Sequence, residues 1–185
     1  MKKIALFLLA SFLFVSCASV YDPAPQILPE HVKKVYVKPF TNGTNQFGLE
    51  AKFTNAVIDE ILRDGRLSLV NTEAEADGIL TAVIKIYRLQ PLTYDINMIP
   101  EQYKLWIIAS VSFIDKENDV TLWTEPNMEG LQIYKNITNV SVGFIADGMS
   151  EEEARELIWE KLARNIVKRT IKGFGSVTSV SEKKI

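Results

Sequence analysis

In Tyr103-Lys104-Leu105-Trp106-Ile107-Ile108-Ala109-Ser110-Val111-Ser112-Phe113-Ile114-Asp115, the odd positions Tyr103, Leu105, Ile107, Ala109, Val111 and Phe113 are all apolar. A strand turns successive side chains to opposite faces, so this set lines one side of a sheet. Upstream, Gly78 to Leu89 repeats the pattern, with Leu80, Ala82, Ile84 and Ile86 on one face. Downstream, Lys116-Glu117-Asn118-Asp119 is a tight polar turn, and Val120 to Thr124 begins the next strand with Trp123 on its outer side. Glu125-Pro126-Asn127 reads as a bulge or break, because proline interrupts a ladder; Gly130 to Tyr134 resumes the strand. Gln90 to Gln102, containing Pro91 and Pro100, is long for a hairpin turn and is a candidate functional loop. Asn136 to Gly148 is a second extended loop.

Helices flank this run of strands. Leu49, Phe53, Val57 and Ile61 recur every four residues, with Ala56 and Ile58 widening the stripe, and Asp64-Gly65 closes that helix. Ser150 with Glu153 has capping-box spacing at the start of a second helix. Its apolar stripe runs through Ala154, Leu157, Ile158, Leu162, Ala163, Ile166 and Val167, and Gly173 ends it. Before the first helix, Lys33 to Phe40 alternates as a half-buried strand, and Thr41 to Asn45 is rich in turn residues. Leu67 to Val70 is a short strand leading into a polar turn. The order strand, helix, strands, helix predicts an α+β two-layer sandwich. Two helices pack on one face of a mostly antiparallel four-stranded sheet.

The opposite face of that sheet is open. Its side chains include Trp106, Ile108 and Ile114 beside Lys104, Ser110 and Ser112, with Trp123 and Tyr87 as further candidates. Aromatic and aliphatic residues on an outer face predict a covered surface facing a partner.

Composition narrows the chemistry. Of 185 residues, 47% are hydrophobic and 24% charged, which predicts a packed globular core. The net charge of −2 excludes the basic field of a nucleic-acid binder. The single histidine, His31, reads as a surface loop residue, and no Cys/His cluster is available to hold zinc. No nucleophile elbow or phosphate loop is present, and Gly173-Phe174-Gly175 follows a helix rather than opening one. Neither catalytic residues nor a metal or cofactor is expected.

The only cysteine, Cys17, ends a leader of Lys2-Lys3, the apolar run Ile4 to Val15, and Ser16. That run is too short for a permanent membrane span but suits a signal-peptide core. Phe14-Val15-Ser16-Cys17 resembles the lipobox of bacterial lipoprotein precursors. The resemblance implies cleavage before Cys17 and covalent lipid on that residue as the membrane attachment. With Ala18 rather than aspartate next, it also implies a periplasm-facing place at the outer membrane. Prolines 23, 25 and 29 make the following segment an extended tether. The predicted organisation is signal peptide 1–16, lipidated tether 17–30, domain 31–173 and flexible tail 174–185.

Several blocks resemble the LPS-assembly lipoproteins, the LptE family. They are Leu28-Pro29-Glu30-His31-Val32-Lys33-Lys34-Val35-Tyr36-Val37-Lys38-Pro39-Phe40, Gly48-Leu49-Glu50, Leu62-Arg63-Asp64-Gly65-Arg66-Leu67, Glu73 to Leu80, Tyr87 to Leu92, and Ala163-Arg164-Asn165-Ile166-Val167. The resemblance implies a small sheet with two helices on one side. It also implies a non-enzymatic plug in an LptD-type outer-membrane β-barrel, which helps that barrel assemble and binds lipopolysaccharide. Enterobacterial members use basic residues near the loop between the long strands and before the last helix. Here neither Gln90 to Glu101 nor Asn136 to Ser150 contains Lys or Arg. The cations flanking them, Arg88, Lys104 and Lys135, are therefore the candidate lipopolysaccharide contacts. Trp106, Ile108, Ile114 and Trp123 are the candidate partner face. The competing reading is another periplasmic accessory lipoprotein, such as a secretion pilot or curli-type assembly factor.

Overall fold

The computed structural model describes residues 28–136 and 148–172. The leader, Cys17, the Gly173 cap, residues 174–185 and most of the second extended loop lie outside them. In chain order the elements are β1 (Lys34–Val37), β2 (Thr41–Asn42), α1 (Leu49–Asp64), β3 (Ser68–Leu69), β4 (Gly78–Tyr94), β5 (Pro100–Asp115), β6 (Val120–Lys135) and α2 (Glu151–Lys172). A single 3-10 turn occupies Glu73–Glu75.

The two-helix sandwich is as expected, but the sheet is six-stranded and mixed, in the order β3-β1-β4-β5-β6, with β2 also on β4. β4, β5 and β6 form an antiparallel meander, while β1 runs parallel to both β3 and β4, and β2 parallel to β4. The parallel part follows from chain path: α1 is the crossover that returns the chain to start β3 in the direction of β1. β2 and β3 hold two residues each, too few to display an alternation in the sequence.

Gln90 to Gln102 is not a loop. β4 runs on through Pro91 to Tyr94 and β5 begins at Pro100, leaving a short turn. β2 leaves β4 at the pair Asn42–Ile84, so β4 is an edge strand beyond that point. An edge strand tolerates Pro91, and a strand's first residue tolerates Pro100, because neither position needs a ladder N–H on its free side.

The core lies between helices and sheet. Leu49, Phe53, Val57 and Ile61 are buried from α1, as their spacing predicts. From α2 the buried set is Ala154, Ile158, Trp159, Leu162, Ala163, Ile166, Val167, Thr170 and Ile171. Leu157, expected in this stripe, is instead exposed, since it sits off the two four-residue rows through Ala154 and Trp159. Trp159 stacks on Phe53 with centroids 4.9 Å apart, and Phe53 meets Phe40 at 4.9 Å. Each such buried side chain contributes about 1.5–3 kcal/mol by leaving water. The helix start is capped as its sequence predicts: Glu153 N–H donates to Ser150 Oγ at 3.2 Å, and Ser150 N–H to Glu153 Oε2 at 2.7 Å.

Two bulges divide the sheet. Ile84 faces Ala109 and Ile86 faces Ile108, so Lys85 is an extra residue in β4. On β6 the register slips between the partners of Ala109 and Val111, at Pro126-Asn127, as the sequence predicts. Lys85 Nζ donates to Pro126 O and Asn127 Oδ1, both at 3.3 Å, joining the two irregularities across β5. Beyond this line the three strands continue as an arm ending in the turn at Asp95–Ile99.

At the other end, His31 is more than a surface loop residue. Its side chain is 34% exposed, and its Nε2 lies 2.9 Å from Oδ2 of Asp115, which is 2% exposed. Asp115 also accepts from Asn118 Nδ2 at 2.8 Å and Glu117 N–H at 3.0 Å.

Candidate functional site

The bulge at Lys85 decides what the open face displays. Uninterrupted alternation from Leu80 would turn Ile86 and Arg88 toward the helices. The extra residue reverses the phase, so Arg88 comes to lie opposite Trp106 on the outer face and Tyr87 opposite Ile107 on the inner one. Arg88, Trp106 and Leu131 form one cross-strand row; Gln90, Lys104 and Ile133 form the next; Lys135 stands opposite Gln102. Opposed residues in a sheet share a face. The three cations named from the sequence thus come together, one on each strand of the arm.

Trp106 lies between two of them, with Lys135 nearer the turn, opposite Gln102. The Arg88 Cζ is 5.4 Å from its ring centroid and the Lys104 Nζ is 5.6 Å away. Each contact of this kind is worth about 0.5–1 kcal/mol at an exposed site, enough to orient a flexible side chain. Among the described residues, none of the three cations forms an ion pair. The face therefore presents positive charge that no carboxylate among the described residues pairs with. Ile108 and Ile114 lie on the same outer face, Ile114 opposite Ile79 in the body of the sheet. Between them Ser112 and Thr124 share a hydroxyl hydrogen bond of 3.0 Å.

Trp123 does not belong to this face. It stands opposite Phe113, which is fully buried, and is itself 8% exposed on the helix side. The Arg169 Cζ lies 6.0 Å from its centroid, and Arg169 pairs with Glu125 at 2.7 Å. A register slip between the partners of Phe113 and Ile114 puts an extra residue into β6, so the alternation counted from Val120 fails before Trp123. Tyr87 is likewise an inner residue, and its hydroxyl donates to Glu151 at the start of α2. Burial, reinforced by that bond, raises its pKa well above the usual phenol value. Tyr134 stacks on Tyr103 at 5.9 Å and is pushed up to about 12, by burial first and then by Glu151. Both phenols stay neutral at physiological pH and close the inner side of the arm. Leu131 and Ile133 are outer residues that the sequence reading passed over, although the alternation of Gly130 to Tyr134 carries them.

Among the described residues, no cluster of His, Cys, Asp or Glu has a metal-holding arrangement, and no helix is long and apolar enough to cross a membrane. The open face of this α+β sandwich thus carries an aromatic ring between two cations, beside apolar side chains. Residues 32–170 match the LptE family, described as lipopolysaccharide-assembly, and the chain belongs to that family. The fold is also similar to many solved structures, among them the two that follow. The protein CT253 from Chlamydia trachomatis has a TM-score of 0.51 at 16% identity, covering 75% of this chain and 95% of that one. The protein XCC0632 from Xanthomonas campestris has a TM-score of 0.52 at 6% identity, covering 78% and 89%. No curated protein sequence matches.

Proposed function

We propose that this protein is a lipid-anchored outer-membrane subunit of a lipopolysaccharide translocon. In this reading the chain is cleaved before Cys17, lipidated there, and held at the periplasmic side of the outer membrane by the tether 17–30. The domain at 31–173 plugs and helps assemble an LptD-type β-barrel and assists lipopolysaccharide insertion, by binding rather than by catalysis. Family membership supports the general role. The observation that carries the contact is the collar of Arg88, Lys104 and Lys135, three cations on one face with no ion-pair partner among the described residues, the first two flanking Trp106. Lipopolysaccharide carries phosphates and sugar acids, and charge-assisted hydrogen bonds to such groups are worth about 1.5–3 kcal/mol each. Ile108, Ile114 and the neighbouring apolar side chains supply the surface for the barrel wall.

The Arg88→Ala, Lys104→Ala double variant is expected to bind lipopolysaccharide at least about tenfold more weakly, measured by titration of the purified protein. Unchanged affinity would remove the collar as the contact. Pull-down from detergent-extracted outer membrane is expected to recover a large β-barrel. Recovery of the protein alone, with that barrel assembling normally in its absence, would overturn the translocon role.

A further inference from the structure

The far end of the arm exposes apolar side chains to an extent that nothing above explains. Ile96 is 97% and Met98 75% exposed at the turn, with Leu92, Tyr94 and Ile99 also open beside them. The turn itself is well built. Asp95 Oδ1 accepts the backbone N–H groups of Asn97 at 2.9 Å and Ile99 at 2.7 Å, and Asp95 N–H donates to Ile99 O at 2.9 Å. Asp95 is the only charged residue from Leu89 to Pro100, and its carboxylate is spent on its own backbone. A defined hairpin thus holds a largely apolar end, with its one carboxylate turned onto the backbone, clear of the domain, and water is a poor neighbour for it.

We propose that this tip receives the acyl chains of the lipopolysaccharide whose phosphates meet the Arg88–Lys104–Lys135 collar. The proposal rests on the reading above and assigns the hydrocarbon half of the same ligand. Charge and length support it. Cations stand behind the tip and none stands on it, which matches an amphiphile lying along the arm with its headgroup toward the body. Lys104 lies four residues into β5, about 14 Å from the strand's start at about 3.4 Å per residue. An acyl layer is half of a bilayer core, about 15 Å. The bilayer holding the anchor fits less well. His31 is fastened to Asp115, at the opposite end of β5 from the turn, so the described chain begins at the end of the sheet away from the tip.

The test compares intact with chemically deacylated lipopolysaccharide, using protein purified from membranes and held in phosphatidylcholine nanodiscs. Wild-type protein should prefer the intact form. The Ile96→Ser, Met98→Ser variant should lose about tenfold or more of affinity for intact lipopolysaccharide and keep its affinity for the deacylated form. The Ile96→Leu, Met98→Leu variant should restore the preference. The Arg88→Ala, Lys104→Ala variant should weaken both forms, which separates failure of the collar from failure of the tip. Equal binding of intact lipopolysaccharide by the serine variant and wild type would overturn the proposal. So would an Ile96→Trp variant whose added emission is already blue-shifted in nanodiscs without lipopolysaccharide, since the occupant would then be the bilayer.

Discussion

His31 carries the only imidazole of the chain, and its environment makes a signed prediction. Its hydrogen bond to Asp115, followed by the charges of Asp115, Glu117 and Asp77, outweighs desolvation and raises its pKa above the ordinary value. Asp115 is held below the usual carboxylate range, by Asn118 first and then by His31. A raised histidine stabilises the fold fully below about pH 6.5 and loses that contribution as pH climbs through the folded value. A lowered aspartate contributes above about pH 3.9 and loses its share as pH falls through the folded value. The window of greatest benefit therefore lies between about pH 4 and 6.5. The melting-temperature gap between wild type and His31→Ala should be larger near about pH 5.5 than near about pH 8.5. A gap independent of pH would mean that the contact is merely steric. None of this was legible in the sequence, because His31 and Asp115 are joined only when β5 returns to the end where the domain begins.

The elements were easiest to read where their periodicity is long. The β5 alternation and the α1 stripe passed intact from sequence to structure, because each continues for several turns or repeats without an insertion. Phase was hard to read. Ile84-Lys85-Ile86-Tyr87 is compatible with either side facing inward, and only the pairing with β5 reveals Lys85 as the extra residue. That single insertion moves Arg88 into the collar. Trp123 failed for the same reason on β6. Packing between elements has its own test at Gly130, where a Cβ would lie 2.3 Å from Ile158 Cγ2 and 3.2 Å from Leu162 Cδ1. Gly130→Ala should force α2 off the sheet and cost about 1–3 kcal/mol, read by denaturant unfolding. A variant as stable as wild type would show that the helix can shift freely.

At the scale of the molecule, the arm and the N-terminal end of the described chain lie at opposite ends of the sheet. The collar and tip stand beyond the bulges, while the chain enters beside Asp115. A Cys17→Ala variant should consequently mislocalise, as followed by membrane fractionation, yet melt at the same temperature as wild type. An unfolded variant would mean that attachment and fold are not separable. The parallel placement of β1 has a kinetic consequence. β1 lies between β3 and β4, and its partners Leu69 and Gly78 come much later in the chain than Val35. The meander of β4, β5 and β6 uses local hairpin pairings, whereas β1 must close a long loop. In a chain that appears N-terminus first, β1 emerges before its partners and acquires its neighbours late. The central parallel strand is thus made first and paired last, so the sheet is completed only after β3 and β4 have been made.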